Sequence, residues 1–151
     1  MRPIATIAAF AILTAPALGG APVNMFTMEG ACEKLMLGDD DLSPSCGESV
    51  MQIVYDDGRV GLYAFSGGQI LAFSGVNDEV ISGEIRQDLD KVIFGKSQTD
   101  VRETRVEGTC LYENPFVGIA RFECDAIAEN GATFSLVFIT DGTPPVDRLA
   151  D

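Results

Sequence analysis

Four cysteines place the strongest constraint on how this chain can fold. They stand at positions 32, 46, 110 and 124, so each half of the chain holds a pair separated by the same interval. Both intervals contain turn-forming residues near their middle, at 38–41 and at 114–118. A segment that folds back at such a turn brings its ends together, and opposed side chains in a hairpin lie about 4.5 to 5.5 Å apart at Cβ. The spacing therefore predicts two local disulfides, Cys32 with Cys46 and Cys110 with Cys124.

Other uses of four thiols fit this sequence poorly. A dithiol catalyst usually carries its thiols in a C-x-x-C motif, which the chain lacks. A zinc site would be without its commonest ligand, because the chain contains no histidine. The same absence removes the usual general base of serine, cysteine and metal-dependent hydrolases. The sequence therefore identifies no catalytic residue and predicts no cofactor.

The first 21 residues, MRPIATIAAFAILTAPALGGA, have the order of a secretory signal peptide. Arg2 precedes an uncharged apolar run, and small residues together with Pro16 follow it. About a dozen apolar residues are continuous, fewer than the roughly 18 of a spanning helix. We expect cleavage after Ala17 or near Gly20 and export to the periplasm or the medium, without stable membrane insertion afterwards. Disulfides form in those compartments.

The remaining chain, about 130 residues, has the size of one domain. We expect this domain to cover residues 22–142, followed by a Pro-rich, flexible tail at 143–151. The net charge is −13, and loss of Arg2 would make it more negative. Such a polyanion repels nucleic acid and anionic membranes, and it attracts basic proteins or divalent cations. The charge therefore argues against a nucleic-acid partner and is compatible with a basic protein, although solubility of an exported protein explains it more simply; the oligomeric state stays open.

Short apolar runs separated by turn residues predict an all-β fold. Asp57-Gly58, Gly67-Gly68 and Asn130-Gly131 each separate two such runs, as in tight hairpins. A further turn is expected at residues 87–90, and a short helical piece is allowed near 26–36. About eight short strands joined by tight turns predict a small antiparallel barrel or sandwich.

Four aromatic residues, Tyr55, Tyr63, Phe65 and Phe73, fall in two neighbouring predicted strands. They could form a ligand-binding or partner-binding face, although such residues more often pack in a core. Alternation places Tyr63 and Phe65 on one side of a strand, which favours a position in the interior of a barrel.

The densest charge cluster is formed by Asp39, Asp40 and Asp41, a weak candidate for calcium binding through carboxylate oxygens. Adjacent aspartates point in different directions, and the alternating spacing of a calcium-binding loop is missing. A solvated loop is the simpler interpretation, so no metal site is predicted.

Paired carboxylates are the one catalytic alternative, since two Asp or Glu side chains about 5 to 9 Å apart can hydrolyse glycosides. Glu123 and Asp125 would share one face of a regular strand, with Arg121 beside them. The chain has no Trp, the preferred platform for stacking sugars. The candidates, which no motif distinguishes, are Asp56, Asp57, Glu84, Asp88, Asp90, Glu123 and Asp125.

Motifs in the C-terminal third resemble those of a known group of proteins. They are Cys110, the YENPF stretch at 112–116, Cys124, the NGA stretch at 130–132 and the TDG stretch at 140–142. This pattern, over roughly residues 106 to 145, is similar to a group of small exported alphaproteobacterial proteins with two disulfides and of unknown function. The resemblance implies an exported, disulfide-bonded domain and no catalytic residue.

The sequence as a whole favours a non-catalytic binding or inhibitor-like module of the cell envelope. Rigid loops on an acidic domain could cap a cationic enzyme through electrostatically steered association. The alternatives are a carboxylate-dependent hydrolase of the glycosidase type and a purely structural envelope protein.

Overall fold

The computed structural model describes residues 20–97 and 99–150, most of which lie in β-strands. The predicted signal peptide therefore lies outside the described residues, apart from Gly20 and Ala21. No helix in the described ranges is long and apolar enough to cross a bilayer. Within these residues one 3-10 turn, Ser43–Ser45, stands among ten strands: β1 (Pro22–Leu37), β2 (Asp40–Asp41), β3 (Cys46–Tyr55), β4 (Val60–Ser66), β5 (Gln69–Ile81), β6 (Glu84–Ser97), β7 (Asp100–Tyr112), β8 (Arg121–Ala128), β9 (Thr133–Thr140) and β10 (Val146–Asp147).

Eight of these strands close into an antiparallel barrel. Strands β3 to β9 pair in chain order, and β1 joins β3 to β9. The all-β prediction is confirmed, and the alternative of barrel or sandwich is settled in favour of the barrel. Because neighbouring strands run in opposite directions, their connections lie at two ends. We call the end with the β3–β4, β5–β6 and β7–β8 connections the loop end, and the opposite end the cleft end.

Three of the predicted turns are confirmed, at Asp57-Gly58, Gly67-Gly68 and Asn130-Gly131. The turn expected at residues 87–90 is wrong, since these residues lie inside β6. Gln87 faces the interior there and donates a hydrogen bond to the carbonyl oxygen of Val60 at 2.7 Å. The chain turns instead at Ser82 and Gly83, which both have positive φ.

Strand β1 replaces the helical piece allowed near residues 26–36, and it changes partner in its middle. It pairs with β3 as far as Glu29 and with β9 from Gly30 onwards. At this crossing a Cβ on Gly30 would stand 2.7 Å from the Cα of Thr140, so only glycine fits. A strand that leaves one neighbour for another lacks a clean two-residue pattern, which explains why its sequence was ambiguous.

Two short strands cover the places where β1 has lost a barrel neighbour. Strand β2 pairs with the end of β1, and β10 pairs with its beginning. The predicted flexible tail at 143–151 thus contains a strand. Asp147 fixes it, because its carboxylate accepts hydrogen bonds from the Asn24 side chain at 2.8 Å and the Met25 backbone at 3.0 Å. These hydrogen bonds lower the pKa of Asp147.

Both predicted disulfides are present, and they lie in different surroundings. Cys110 and Cys124 face each other across β7 and β8 inside the barrel, and they are 1% and 0% exposed. Cys32 and Cys46 join β1 to β3 just beyond the point where these strands stop pairing, and both are partly buried.

Candidate functional site

The barrel interior is filled by packed side chains, with Phe73, Phe122 and Phe138 fully buried. Its polar groups are satisfied: the Gln52 side-chain amide donates to the hydroxyl of Tyr112 at 3.2 Å. Within the described residues, no buried side-chain nitrogen or oxygen lacks a hydrogen-bond partner. Such an interior stabilises the fold, so a site has to lie on the surface of the barrel, at its ends or along its outer wall.

The loop end carries a conformationally restrained connection between β7 and β8, residues 113–120. The Cys110–Cys124 bond, which we call the inner disulfide, crosses the base of this loop. The ring of Tyr112 stacks there on Phe122 with centroids 4.8 Å apart. The backbone N–H of Phe116 donates to the Asn114 side chain at 2.9 Å, and that of Ala120 donates to the Thr140 hydroxyl at 2.8 Å. Side chains therefore fix this loop at its base, near its tip and on its return.

The tip of the 113–120 loop exposes apolar side chains to solvent. Val117 is 82% exposed, Ile119 65% and Phe116 53%, even though the ring of Phe116 packs edge-on against Phe26 at 5.3 Å. The β5–β6 hairpin at the same end adds Val80, which is 72% exposed. Several exposed aliphatic groups at one end of a small domain mark an interaction surface more often than single exposed residues do.

Acidic residues lie at the same end of the barrel as these apolar tips. Several arginines near this end are already paired with carboxylates, such as Arg59 with Asp90 at 2.7 Å and Arg86 with Asp88 at 3.7 Å. Partial loss of hydration raises the pKa of the Asp78 carboxyl, although the residue as a whole is exposed. The acidic residues of the loop end are Asp56, Asp57, Asp78, Glu79, Glu84, Glu113 and Asp141.

The cleft end opens into a depression of about 320 Å³ between β1, β2, β5, β6 and β7. Its floor continues the inner face of the barrel, because Leu71, Phe94 and Arg102 are register partners on three neighbouring strands. Leu37 and Leu42 form the opposite side. The depression therefore has an apolar floor with a cation beside it.

The outer wall of the barrel is held by ionic cross-links. The guanidinium of Arg59 binds both carboxylate oxygens of Asp90, at 2.7 and 2.9 Å, and also the hydroxyl of Ser74 at 3.1 Å. This pairing keeps the pKa of Asp90 below its ordinary value. Lys91 lies 3.7 Å from Glu103 in the same groove. These ion pairs brace neighbouring strands on the outer wall, and two further carboxylates, Glu107 and Glu129, line the same groove.

The structure does not place the four predicted aromatic residues on one face. Phe73 belongs to the core, whereas Tyr63 and Phe65 alternate along β4 with buried residues and so face outwards. The expectation that Tyr63 and Phe65 fill the interior is wrong, because Leu62, Ala64 and Ser66 occupy those inward positions. Tyr55 joins Tyr63 through their hydroxyls at 2.9 Å. Burial, and then this hydrogen bond, raise the pKa of Tyr63.

The three adjacent aspartates do not converge on one point. Asp39 lies in the turn after β1, Asp40 borders the cleft, and Asp41 accepts a hydrogen bond from the backbone of Ser43 at 3.0 Å. In the described part of the chain, no group of three acidic or cysteine side chains is arranged to hold a metal ion.

The candidate carboxylates are also dispersed. Asp56 and Asp57 accept hydrogen bonds from the backbone of Ala21 and Gly20 at 3.0 and 3.2 Å. Asp90 and Asp125 line separate grooves. Glu123 lies 3.5 Å from Arg121 on the exposed side of β8. Among the described residues, neither these grooves nor the cleft is lined by two of these predicted candidates, although Asp90 shares its groove with Glu103, Glu107 and Glu129.

The chain matches no protein-family model, and no curated protein or solved structure resembles it at a significant level. The resemblance to the exported alphaproteobacterial group stays a prediction. Sequence reasoning missed Phe116, Val117 and Ile119 as an exposed surface, although apolar residues inside a Pro-Gly turn were the available signal. It also missed Arg102 beside Phe94, because no local motif connects the strands that form the cleft.

Proposed function

We propose that the protein is an exported, non-catalytic binding module that resembles an inhibitor in its mode of action. It would bind a basic partner protein through its loop end. The observation that carries the proposal is the restrained 113–120 loop with its exposed Phe116, Val117 and Ile119. A loop already fixed in its binding conformation loses little conformational entropy when a partner docks, so its apolar contacts contribute more to affinity. The periplasm or the medium is the proposed location, because two disulfides suit an oxidising compartment.

Charge supports a basic partner. The acidic residues around the loop, together with the net charge of −13, would accelerate the approach of a cationic protein and disfavour acidic ones. The apolar tips would then form the dry centre of the interface, with carboxylates at its rim.

The test is capture from a bacterial envelope extract on the immobilised mature protein at low and at high salt. Val117→Asp combined with Ile119→Asp should abolish capture, because it places charges at the apolar centre. The matched control is Ile127→Asp, which changes a 51% exposed isoleucine on the side of the barrel. We expect the control to bind like the unaltered protein and high salt to release the partner.

Two results would overturn this proposal. One is the absence of any captured protein at low salt, where electrostatic attraction is strongest. The other is equal capture by the loop variant and the Ile127→Asp control, since binding would then not involve the loop. A captured protein that is acidic by mass-spectrometric identification would refute the choice of partner.

A further inference from the structure

The cleft end contains two cations, Lys96 and Arg102, that form no ion pair within the described residues. In the described ranges, neither Lys96 nor Arg102 has an Asp or Glu oxygen within 4.0 Å, whereas Arg59, Lys91 and Arg121 do. Both line the depression of about 320 Å³. Arg102 is the register partner of Phe94, which packs against the core, so one cation lies at the edge of the apolar floor.

We propose that this cleft binds a small amphiphilic anion, with its apolar part on Leu71, Phe94 and Leu42 and its carboxylate or similar group between Lys96 and Arg102. The volume is at the lower end of the range for small-molecule sites. A guanidinium beside an apolar surface favours a carboxylate, because it offers two parallel N–H donors. This site lies at the opposite end of the barrel from the loop end and does not depend on the proposed partner.

Two carboxylates also border the cleft and limit the charge of the ligand. Asp40 lies on the β2 side, and Asp100 is nearer than Arg102 to the tip of the β6–β7 hairpin. Two cations and two anions leave the cleft with little net charge. An anion with a single compact charge can approach Arg102, while a polyanion would also meet the carboxylates. The site is therefore suited to a monoanion.

The experiment is calorimetric titration of the folded, oxidised protein with decanoate, decanol and decyltrimethylammonium at low salt. We expect decanoate to bind at least about tenfold more tightly than decanol, since charge-assisted hydrogen bonds discriminate by that order. Lys96→Gln with Arg102→Gln should remove this preference and leave the weak binding of decanol unchanged. Asp40→Asn with Asp100→Asn should tighten decanoate binding, because it removes repulsion.

The matched control is Arg105→Gln. Arg105 lies three residues beyond Arg102 on β7, is exposed and lines the groove on the outer wall instead of the cleft. It should leave decanoate binding unchanged. Equal affinity for decanoate and decanol would overturn the proposal, as would tighter binding of the cationic amphiphile or an equal loss in the Arg105 variant. The chemical shifts of Phe94 and Leu71 give an independent readout, because decanoate must perturb them first.

Discussion

The two disulfides have the same sequence separation of 14 and different positions in the barrel. Cys110–Cys124 lies in the middle of a paired hairpin, fully enclosed, with the stacked rings of Tyr112 and Phe122 beside it. Cys32–Cys46 lies where β1 and β3 separate, and it is partly buried. The inner bond joins strands that already pair, whereas the outer bond joins strands that no longer do.

This difference shows that loop length alone does not determine how much each disulfide stabilises the fold. An argument from the entropy of the unfolded chain assigns each crosslink about the same stabilisation, roughly 3 kcal/mol, because the loops are equally long. Packing differs, since only the inner pair occupies the core. The inner disulfide should therefore act as a core element as well as a crosslink, and the outer one should act mainly as a crosslink at the seam of the barrel.

The largest expected effect comes from deleting each disulfide. Cys110→Ala with Cys124→Ala should lower the free energy of unfolding by about 4 to 5 kcal/mol, since it removes the crosslink and leaves a cavity between β7 and β8. Cys32→Ala with Cys46→Ala should lower it by about 3 kcal/mol. Urea denaturation of both variants measures the difference. If the two variants lose the same free energy of unfolding within about 0.5 kcal/mol, burial of the inner pair contributes nothing to stability beyond the crosslink.

The second comparison is the rate of reduction by dithiothreitol under native conditions. Cys32–Cys46 should be reduced at least about a hundredfold faster, because the inner disulfide becomes accessible only when the core opens. Alkylation of the released thiols followed by peptide mapping identifies which bond has been reduced.

In a denaturing concentration of urea, both disulfides should be reduced at the same rate, which provides the control for their intrinsic reactivity. Reduction of Cys110–Cys124 first in the native protein would show that β7 and β8 separate more easily than the seam between β1 and β3. The view of the inner bond as a core element would then be wrong.

The pairing of the cysteines was predictable, because local turns and equal spacing are visible in the chain. Their different surroundings were not, since the partner change at Gly30 depends on β9, more than 100 residues away in sequence. The turn at Ser82-Gly83 was not predicted either, because no Asn-Gly or Asp-Gly pair marks it. The hairpin strands could be predicted from local sequence patterns. Closure of the barrel could not, because it depends on pairing between strands that are far apart in the sequence.

The candidate sites were less predictable than the fold, for a related reason. Tyr63 and Phe65 were assigned to the interior because large aromatic residues usually fill it, yet the smaller Leu62 and Ala64 do so here. Exposure of Val117 depends on how the 113–120 loop is fixed by Thr140 on another strand. Sequence pattern predicts which residues alternate, and packing across strands decides which of the two faces is buried.

The smallest of the three effects concerns the neighbourhood of the inner disulfide at alkaline pH. Burial, and then the charge of Asp78, raise the pKa of Tyr112 from 10.0 to about 12. Because the folded-state pKa is the higher one, the associated stability is fully present below pH 10 and is lost as the pH rises towards 12. A pKa difference of this size corresponds to about 3 kcal/mol in total, of which about 2 kcal/mol is lost between pH 10 and pH 12. We expect the free energy of unfolding to fall by that order between pH 10 and pH 12.

Tyr112→Phe isolates this contribution, because it removes the titrating hydroxyl and keeps the ring that stacks on Phe122. At neutral pH the variant should lose about 1 kcal/mol through the missing hydrogen bond from Gln52. Between pH 10 and pH 12 its stability should fall less steeply than that of the unaltered protein. Tyr63 remains in both proteins, so its own titration cancels in the comparison. Identical pH profiles would show that the hydroxyl of Tyr112 ionises as easily in the folded protein as in the unfolded chain, and burial would then not raise its pKa.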